Sequence, residues 1–481
     1  MPNALRTPSF LTILLSSLAC LMVLLPLGAA TGPAPVPVTF GPNINLNAGG
    51  NELGQRQRET TVAVNPRDSL NIVEGHIDRA NSGARIGYSY SVDGGQSWTF
   101  GGALPREVDG IGSTDPAVAA DAAGNFYFAY TDIDAAFSRP DIVVARSTDG
   151  GRTFPFLAVV HRGASNSTLL DAPDKNWIAV DTWNGSRFKG TIYVAWASFI
   201  CTLTGCDSRI AVSTSIDRGA TWSPEVAISD PRNSDTTDVT APVPVVGPDG
   251  TVYVFWMDHL FRSGPLNILF AKSMDGGRTW SAPAAVAAGL PSPGLILIQN
   301  GDPSYGTKPI IGILGNSNPA AAVAPDGTLF VAWTDVPNGS CHDVGDFYVP
   351  CTNTDVRMSS SRNGGRTWSA PRKVSDDTGV TDQFFPWIAT HPNGLLSLSW
   401  DDKRLDPTNA NYDVFYTNTF DGVAFLPNVR VTSETSITGN GQTPIQDYSA
   451  LAASTDSVFP VWADVRTSQP DIYVAVGRLR P

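Results

Sequence analysis

Apolar and polar residues alternate in short runs along most of this chain, and the runs come in pairs. Residues 320–335 read AAAVAPDGTLFVAWTD: an alternating apolar run, an Asp326-Gly327 turn, and a second run ending in an aromatic residue and an aspartate. Alternation of this kind marks β-strands, and Asp-Gly between two such runs marks a hairpin. The same element starts near Thr60, Pro116, Trp177, Ala241, Phe385 and Tyr448, which makes seven copies. A third run follows each copy, as in residues 141–146 or 266–272, and a fourth run follows that, as in 223–228. Four strands repeated seven times predict an all-β, seven-bladed β-propeller in a single domain over residues 31–481. Length alone predicts about three domains, and the repeat overrides it.

Between the third and fourth runs lies a second repeat. Ser91-Val-Asp93-Gly-Gly95-Gln-Ser97-Trp98 recurs as Ser147-Thr-Asp149-Gly-Gly151-Arg-Thr153-Phe154 and Ser215-Ile-Asp217-Arg-Gly219-Ala-Thr221-Trp222. Two more copies start at Ser273 and Ser361, the latter with Asn363 in place of Asp, and a worn copy runs from Thr419 to Phe425. The Asp carboxylate can accept bonds from backbone N–H groups a few residues on, Gly takes the positive φ of a tight turn, and Trp anchors the turn in the core. These repeats resemble the Asp boxes of the sialidase (BNR-repeat) superfamily, exported bacterial-type members included. The resemblance implies a propeller in which the boxes are structural and lie away from the active face. Sialidases have six blades, so a six-bladed count is the alternative. The last unit supplies a third strand, residues 471–477, and then the chain ends. Residues 36–47, of which 40–46 are similar to 425–431, are expected to complete that blade from the N-terminus and remove two open edges.

Composition narrows the classes. The chain has 481 residues, 45 acidic against 32 basic, and a formal charge of -13. Only six of the acids are Glu, which leaves 45 − 6 = 39 Asp, the turn and cap residue. That balance disfavours a helical protein and nucleic-acid binding. With 42% hydrophobic residues and 12 Trp, the chain can build a large core and is not expected to be disordered.

Residues 1–30 carry Arg6, an apolar run from Phe10 to Leu27, and the small residues Gly28, Ala29 and Ala30. This reads as a secretory signal, with a retained anchor as the alternative, and implies a secreted, periplasmic or cell-surface protein. No later stretch is long and apolar enough to span a bilayer. Beyond the signal four cysteines remain in two close pairs, Cys201 with Cys206 and Cys341 with Cys351, which predicts two local disulfides.

Candidate chemistry gathers on the rim opposite the boxes, where the longer loops lie. Second strands end there in Asp78, Asp132, Asp258, Asp335, Asp402 and Asp464, several followed by Arg: Arg79, Arg404 and Arg466. First strands begin there with Glu59, Asp115, Asp174, Asp382 and Asp447-Tyr448. Acids and arginines at one mouth suit a sugar or an anionic group, or calcium on carboxylate oxygens; the chemistry requires no cofactor. Asp447-Tyr448-Ser449-Ala450-Leu451 is similar to the sialidase segment that carries the nucleophilic Tyr. The resemblance implies Tyr448 as nucleophile and Arg404 and Arg466, with Arg79, on a substrate carboxylate, with Asp382, Asp402, Asp447 and Asp464 beside them; Glu59 and Glu74 are the Glu near the adjoining first blade that can serve as base, and Asp115 and Asp174 are the nominated proton donors. The sialidase Arg-Ile-Pro motif is missing. Three readings therefore stand: an exo-glycosidase of exo-α-sialidase type, a non-catalytic glycan- or protein-binding propeller, and a polysaccharide lyase with His161 or His342 as base. A monomer with a glycan ligand is the expected state.

Overall fold

The structure, a computed structural model, describes residues 33–46, 56–80, 83–107, 110, 112–134, 140–166, 168–233, 237–260, 265–291, 295–296, 313–314, 318–341, 351–437, 448–467 and 470–480. The signal segment, His342 and Asp447 lie outside them. The described residues form strands and turns and no helix, so the fold is all-β and built of several sheets.

Among the described residues antiparallel units follow one another, numbered here one to seven by their first strands Arg56–Asn65, Gly112–Ala120, Leu169–Val180, Thr237–Val246, Ala320–Val323, Gln383–Thr390 and Ala450–Ala453. Unit four shows the order plainly: Thr237–Val246 pairs with Val252–Leu260, that with Leu266–Ser273, and that with Ala284–Leu290. The first strands pack on one another in chain order, and the first strand of unit seven packs on that of unit one. Unit seven takes its fourth strand from the other end of the chain: Ile44–Asn45 pairs with Asp471–Val474. Asn45 Nδ2 also donates to Asp471 Oδ2 at 3.1 Å.

The end of the chain differs from expectation. The third strand of unit seven stops at Val474, and a further strand, Gly477–Leu479, pairs with Val38–Phe40 and with the start of Ser457–Asp464. Gly477 permits this three-way approach, because a Cβ there would meet Phe40 and Val458 carbons at 2.6 Å.

Each box holds its turn as the sequence predicts. Ser273 Oγ donates to Asp275 Oδ1 and accepts from Gly277 N, while the Asp275 carboxylate accepts from the N–H of Arg278 and Thr279 and from Thr279 Oγ1 at 2.6 Å. Asn363 accepts from Ser361 and Thr367 N in the same way and donates to Thr367 Oγ1. The aromatic residues of several boxes pack onto the preceding unit, and Phe154 also meets Phe128 of its own unit at 5.1 Å. Phe154 of unit two packs edge-on against Tyr88 of unit one, at 5.0 Å between ring centres. Trp368 of unit five packs against Phe255 and Phe270 of unit four. Trp98 of unit one joins the cluster of Val461, Ile472 and Val474 in unit seven. The box glycine presses on the same neighbour. Gly151 has φ 82°, and a Cβ there would sit 2.1 Å from Val73 of unit one.

Two substitutions test the box. Asp275→Ala should cost roughly 1–3 kcal/mol in thermal or denaturant unfolding, and Asp275→Asn less than about 1 kcal/mol, since Asn363 already serves in unit five. The Thr279 hydroxyl and N–H hold the Asp275 carboxyl at about 2, below its ordinary 3.8. A depressed value stabilises above the unfolded pKa, so this contribution should be intact above pH 3.8 and fall away as the pH approaches 2.

Candidate functional site

The first strands share a local irregularity that builds the site. In units one, two, three, four and six the pairing with the second strand slips by a bulge, at Glu59-Thr60, Asp115-Pro116, Lys175-Asn176, Ala241-Pro242 and Phe385-Pro386. The first residue of each bulge has φ between 51° and 55°. A bulge re-aims side chains and is common next to functional sites. Counting back from the strand turns, Asn318-Pro319 and Tyr448-Ser449 hold the same position in units five and seven. One ring position is thus filled, in unit order, by Glu59, Asp115, Lys175, Ala241, Asn318, Phe385 and Tyr448.

A cavity of about 290 Å³ opens at this ring, lined by Lys175, Asn176, Trp177, Asn318, Trp387, Tyr448 and neighbouring prolines. A second space of about 500 Å³ lies deeper and is lined by residues from every first strand, Thr61, Val118, Val245, Ala321 and Ala450 among them. Trp177 and Trp387 line both. Their rings, from units three and six, meet at 4.5 Å between centres, and Tyr448 stands edge-on to Trp177 at 5.3 Å. The two indoles form a floor that separates mouth from channel.

The charges at the mouth are paired. Lys175 Nζ lies 3.5 Å from Asp115 Oδ1 and 5.2 Å from the centre of the Tyr448 ring. Thr114 Oγ1 donates to Asp115 Oδ2, and Asn176 Nδ2 donates to the Asp115 carbonyl. Tyr448 is 5% exposed, and its hydroxyl donates to the Pro116 carbonyl at 3.4 Å. Arg58 Nε stands 3.9 Å from Glu59 Oε1. Asp174 precedes Lys175 at the same bulge and is half-buried.

The expected arginines stand elsewhere. Arg404 is held by Asp402 at 2.7 Å and Asp376 at 2.6 Å and lies over the Phe415 ring. Arg466 repeats this in unit seven with Asp464 at 2.6 Å and Tyr473. In both units the strand's own Trp donates to the same carboxylate, Trp400 to Asp402 and Trp462 to Asp464. Asp382 is buried against Lys403 and Asn409. Arg79 is exposed at the end of a second strand. The structure therefore brings Tyr448, Asp115 and Glu59 to one ring position, with Asp174 beside it. It ties Arg404, Arg466, Asp402, Asp464 and Asp382 into ion pairs and hydrogen bonds with their own and the preceding unit. Sequence reasoning missed Lys175, Trp177, Asn318 and Trp387. Their signal is the proline that follows the ring position in four units, Pro116, Pro242, Pro319 and Pro386.

Cys201 and Cys206 form a disulfide across the hairpin of unit three, as expected. Cys341 and Cys351 face each other in backbone register, and their side chains lie outside the description. No helix among the described residues is long and apolar enough to cross a membrane.

No protein-family model and no curated protein matches this chain. Among solved structures it is similar to a protein of unknown function from Dyadobacter fermentans, with 13% identity over 92% of this chain and 99% of that one and a TM-score of 0.49. It is also similar to the Hadza microbial sialidase Hz136, with 16% identity, 82% and 74% coverage, and a TM-score of 0.47. A third is the α-L-arabinofuranosidase Arb93A of Fusarium graminearum, with 14% identity, 78% and 95% coverage, and a TM-score of 0.43.

His161 lies away from the mouth, on the fourth strand of unit two, Phe156–Arg162. It bridges to unit three, with Nε2 3.2 Å from Asp171 and Nδ1 3.0 Å from Glu225. Burial lowers its pKa, but the two carboxylates outweigh burial and lift it to about 9. A raised value stabilises fully below the unfolded 6.5 and is lost as pH rises through about 9. His161→Gln should therefore cost roughly 1 kcal/mol at pH 6 and little at pH 10, read as melting temperature against pH.

Proposed function

We propose that this chain is an exported, exo-acting glycosidase built as a seven-bladed propeller that its N-terminal strand closes. Seven four-strand units whose first strands pack in chain order, the last on the first, support the blade count. The Ile44–Asn45 pairing supports the closure, and the Cys201–Cys206 disulfide fits an extracellular location.

The observation that carries the activity is the blind mouth. The Trp177 and Trp387 rings, in contact across the inner side of the cavity, suit one terminal sugar rather than a threaded polymer. Indole faces match the apolar face of a sugar ring. Glycoside hydrolysis needs an acid and a base or nucleophile, ordinarily two carboxylates. In this reading Glu59 and Asp115, at the same ring position of adjoining blades, fill those roles. Tyr448, fixed by the Pro116 carbonyl, positions the sugar.

A second reading makes Tyr448 the nucleophile. The Lys175 ammonium beside its ring favours it, since a nearby cation stabilises a phenolate. A panel of chromogenic glycosides distinguishes the two. Glu59→Gln and Asp115→Asn should each lower kcat at least about a thousandfold, and Tyr448→Phe about tenfold or less. A thousandfold loss in Tyr448→Phe would move the nucleophile to the phenol. Sugar binding with no turnover of any glycoside would overturn the hydrolase assignment and leave a glycan-binding propeller.

A further inference from the structure

Cations on the functional rim come matched with carboxylates. At the mouth the pairs are Lys175 with Asp115 and Arg58 with Glu59. Around it the aspartates that end second strands hold Arg106, Arg232, Arg404 and Arg466 at 2.6–3.1 Å. Asp132, Asp402 and Asp464 in these pairs are fully buried, so their charges stand in the low-dielectric wall.

We infer that the mouth selects a neutral terminal sugar and rejects an acidic one, and that Asp115 is the residue that sets this selectivity. The inference rests on the glycan reading of the same site. An entering carboxylate gains from a cation whose charge is free to meet it. Here it would meet Lys175 already paired with the Asp115 carboxylate, and a like charge beside that cation disfavours it. The formal charge of -13 adds long-range repulsion. A neutral sugar meets none of this. Its apolar face lies on Trp177 and Trp387, and Lys175, Asn176 and Asn318 of the cavity wall supply polar groups for hydroxyls. Charge compensation therefore acts as discrimination against anions as much as fold stabilisation.

Asp115→Asn tests the assignment without strain, because Asn tolerates the φ of 55° found there. It removes the carboxylate and leaves Lys175 uncompensated. The measurement is calorimetric binding of oligosaccharides that differ only in the terminal residue: a neutral pentose or hexose, a uronic acid, or a sialic acid. Wild type should bind the neutral-terminated ligands at least tenfold tighter than the acidic ones. Asp115→Asn should gain at least tenfold for the acidic ligands, and Asp115→Asn/Lys175→Gln should lose that gain. If wild type binds the acidic ligands more tightly, and Trp177→Ala abolishes that binding, the selectivity inference falls while the glycan reading survives. If no ligand in the panel binds, the glycan reading fails and takes this inference with it. Should Asp115→Asn fail to fold, the wild-type ratio alone decides.

Discussion

The seam between successive units is the interaction on which the rest of this structure depends. Each unit is a small antiparallel sheet that cannot bury both of its faces alone. The box turn solves this by sending its aromatic residue backwards: Phe154 onto unit one, Trp368 onto unit four, Trp98 onto unit seven. The glycine of the turn lets the backbone come close enough for that contact. The Asp carboxylate then locks the turn with bonds to N–H groups that would otherwise need water. A defect in one box loosens two units, because the turn and the surface it covers belong to different units.

Packing of this kind brings seven first strands side by side, and the site is a consequence. A strand bulge is a local irregularity worth little by itself. Repeated at one register in neighbouring units, it places one side chain per unit at a common mouth. The residues there are not alike: two carboxylates, an ammonium, an amide, a phenol and two apolar groups. Regular scaffold and irregular ring divide the labour between stability and chemistry. The rim aspartates follow the same division: Asp335, Asp402 and Asp464 each accept from a Trp of their own strand, and the last two also hold an Arg. The excess of Asp over Glu belongs to short side chains that fit turns and strand ends, where a longer acid would overshoot its partner.

The periodic elements were legible because the physics behind them is local. Alternation along residues 320–335 and Asp-Gly turn chemistry depend on neighbours in the chain. The box hydrogen bonds span four residues, so the motif alone predicts them. Tyr448, Glu59 and Asp115 could be nominated because each stands at a strand start. Arg404 and Arg466 were nominated because each follows an Asp that ends a second strand, and in the structure each pairs with that Asp. An Arg two residues after an Asp can fold back on that Asp and lie over a third-strand ring, and this local contact competes with reaching the mouth.

The sequence by itself determined the all-β class, the paired-strand repeat, the box turns and the Cys201–Cys206 link, since each rests on contacts within a few residues or within one hairpin. Only the tertiary structure decided what shares the mouth. Trp177 and Trp387 are 210 residues apart and meet at 4.5 Å. Lys175 finds Asp115 from the next unit. Such pairings follow from how the units are rotated and packed against one another, and no local pattern in the chain encodes that rotation. The strand that completes unit seven marks the boundary: its likeness to residues 425–431 is sequence, whereas its pairing with residues 471–474 belongs to the fold.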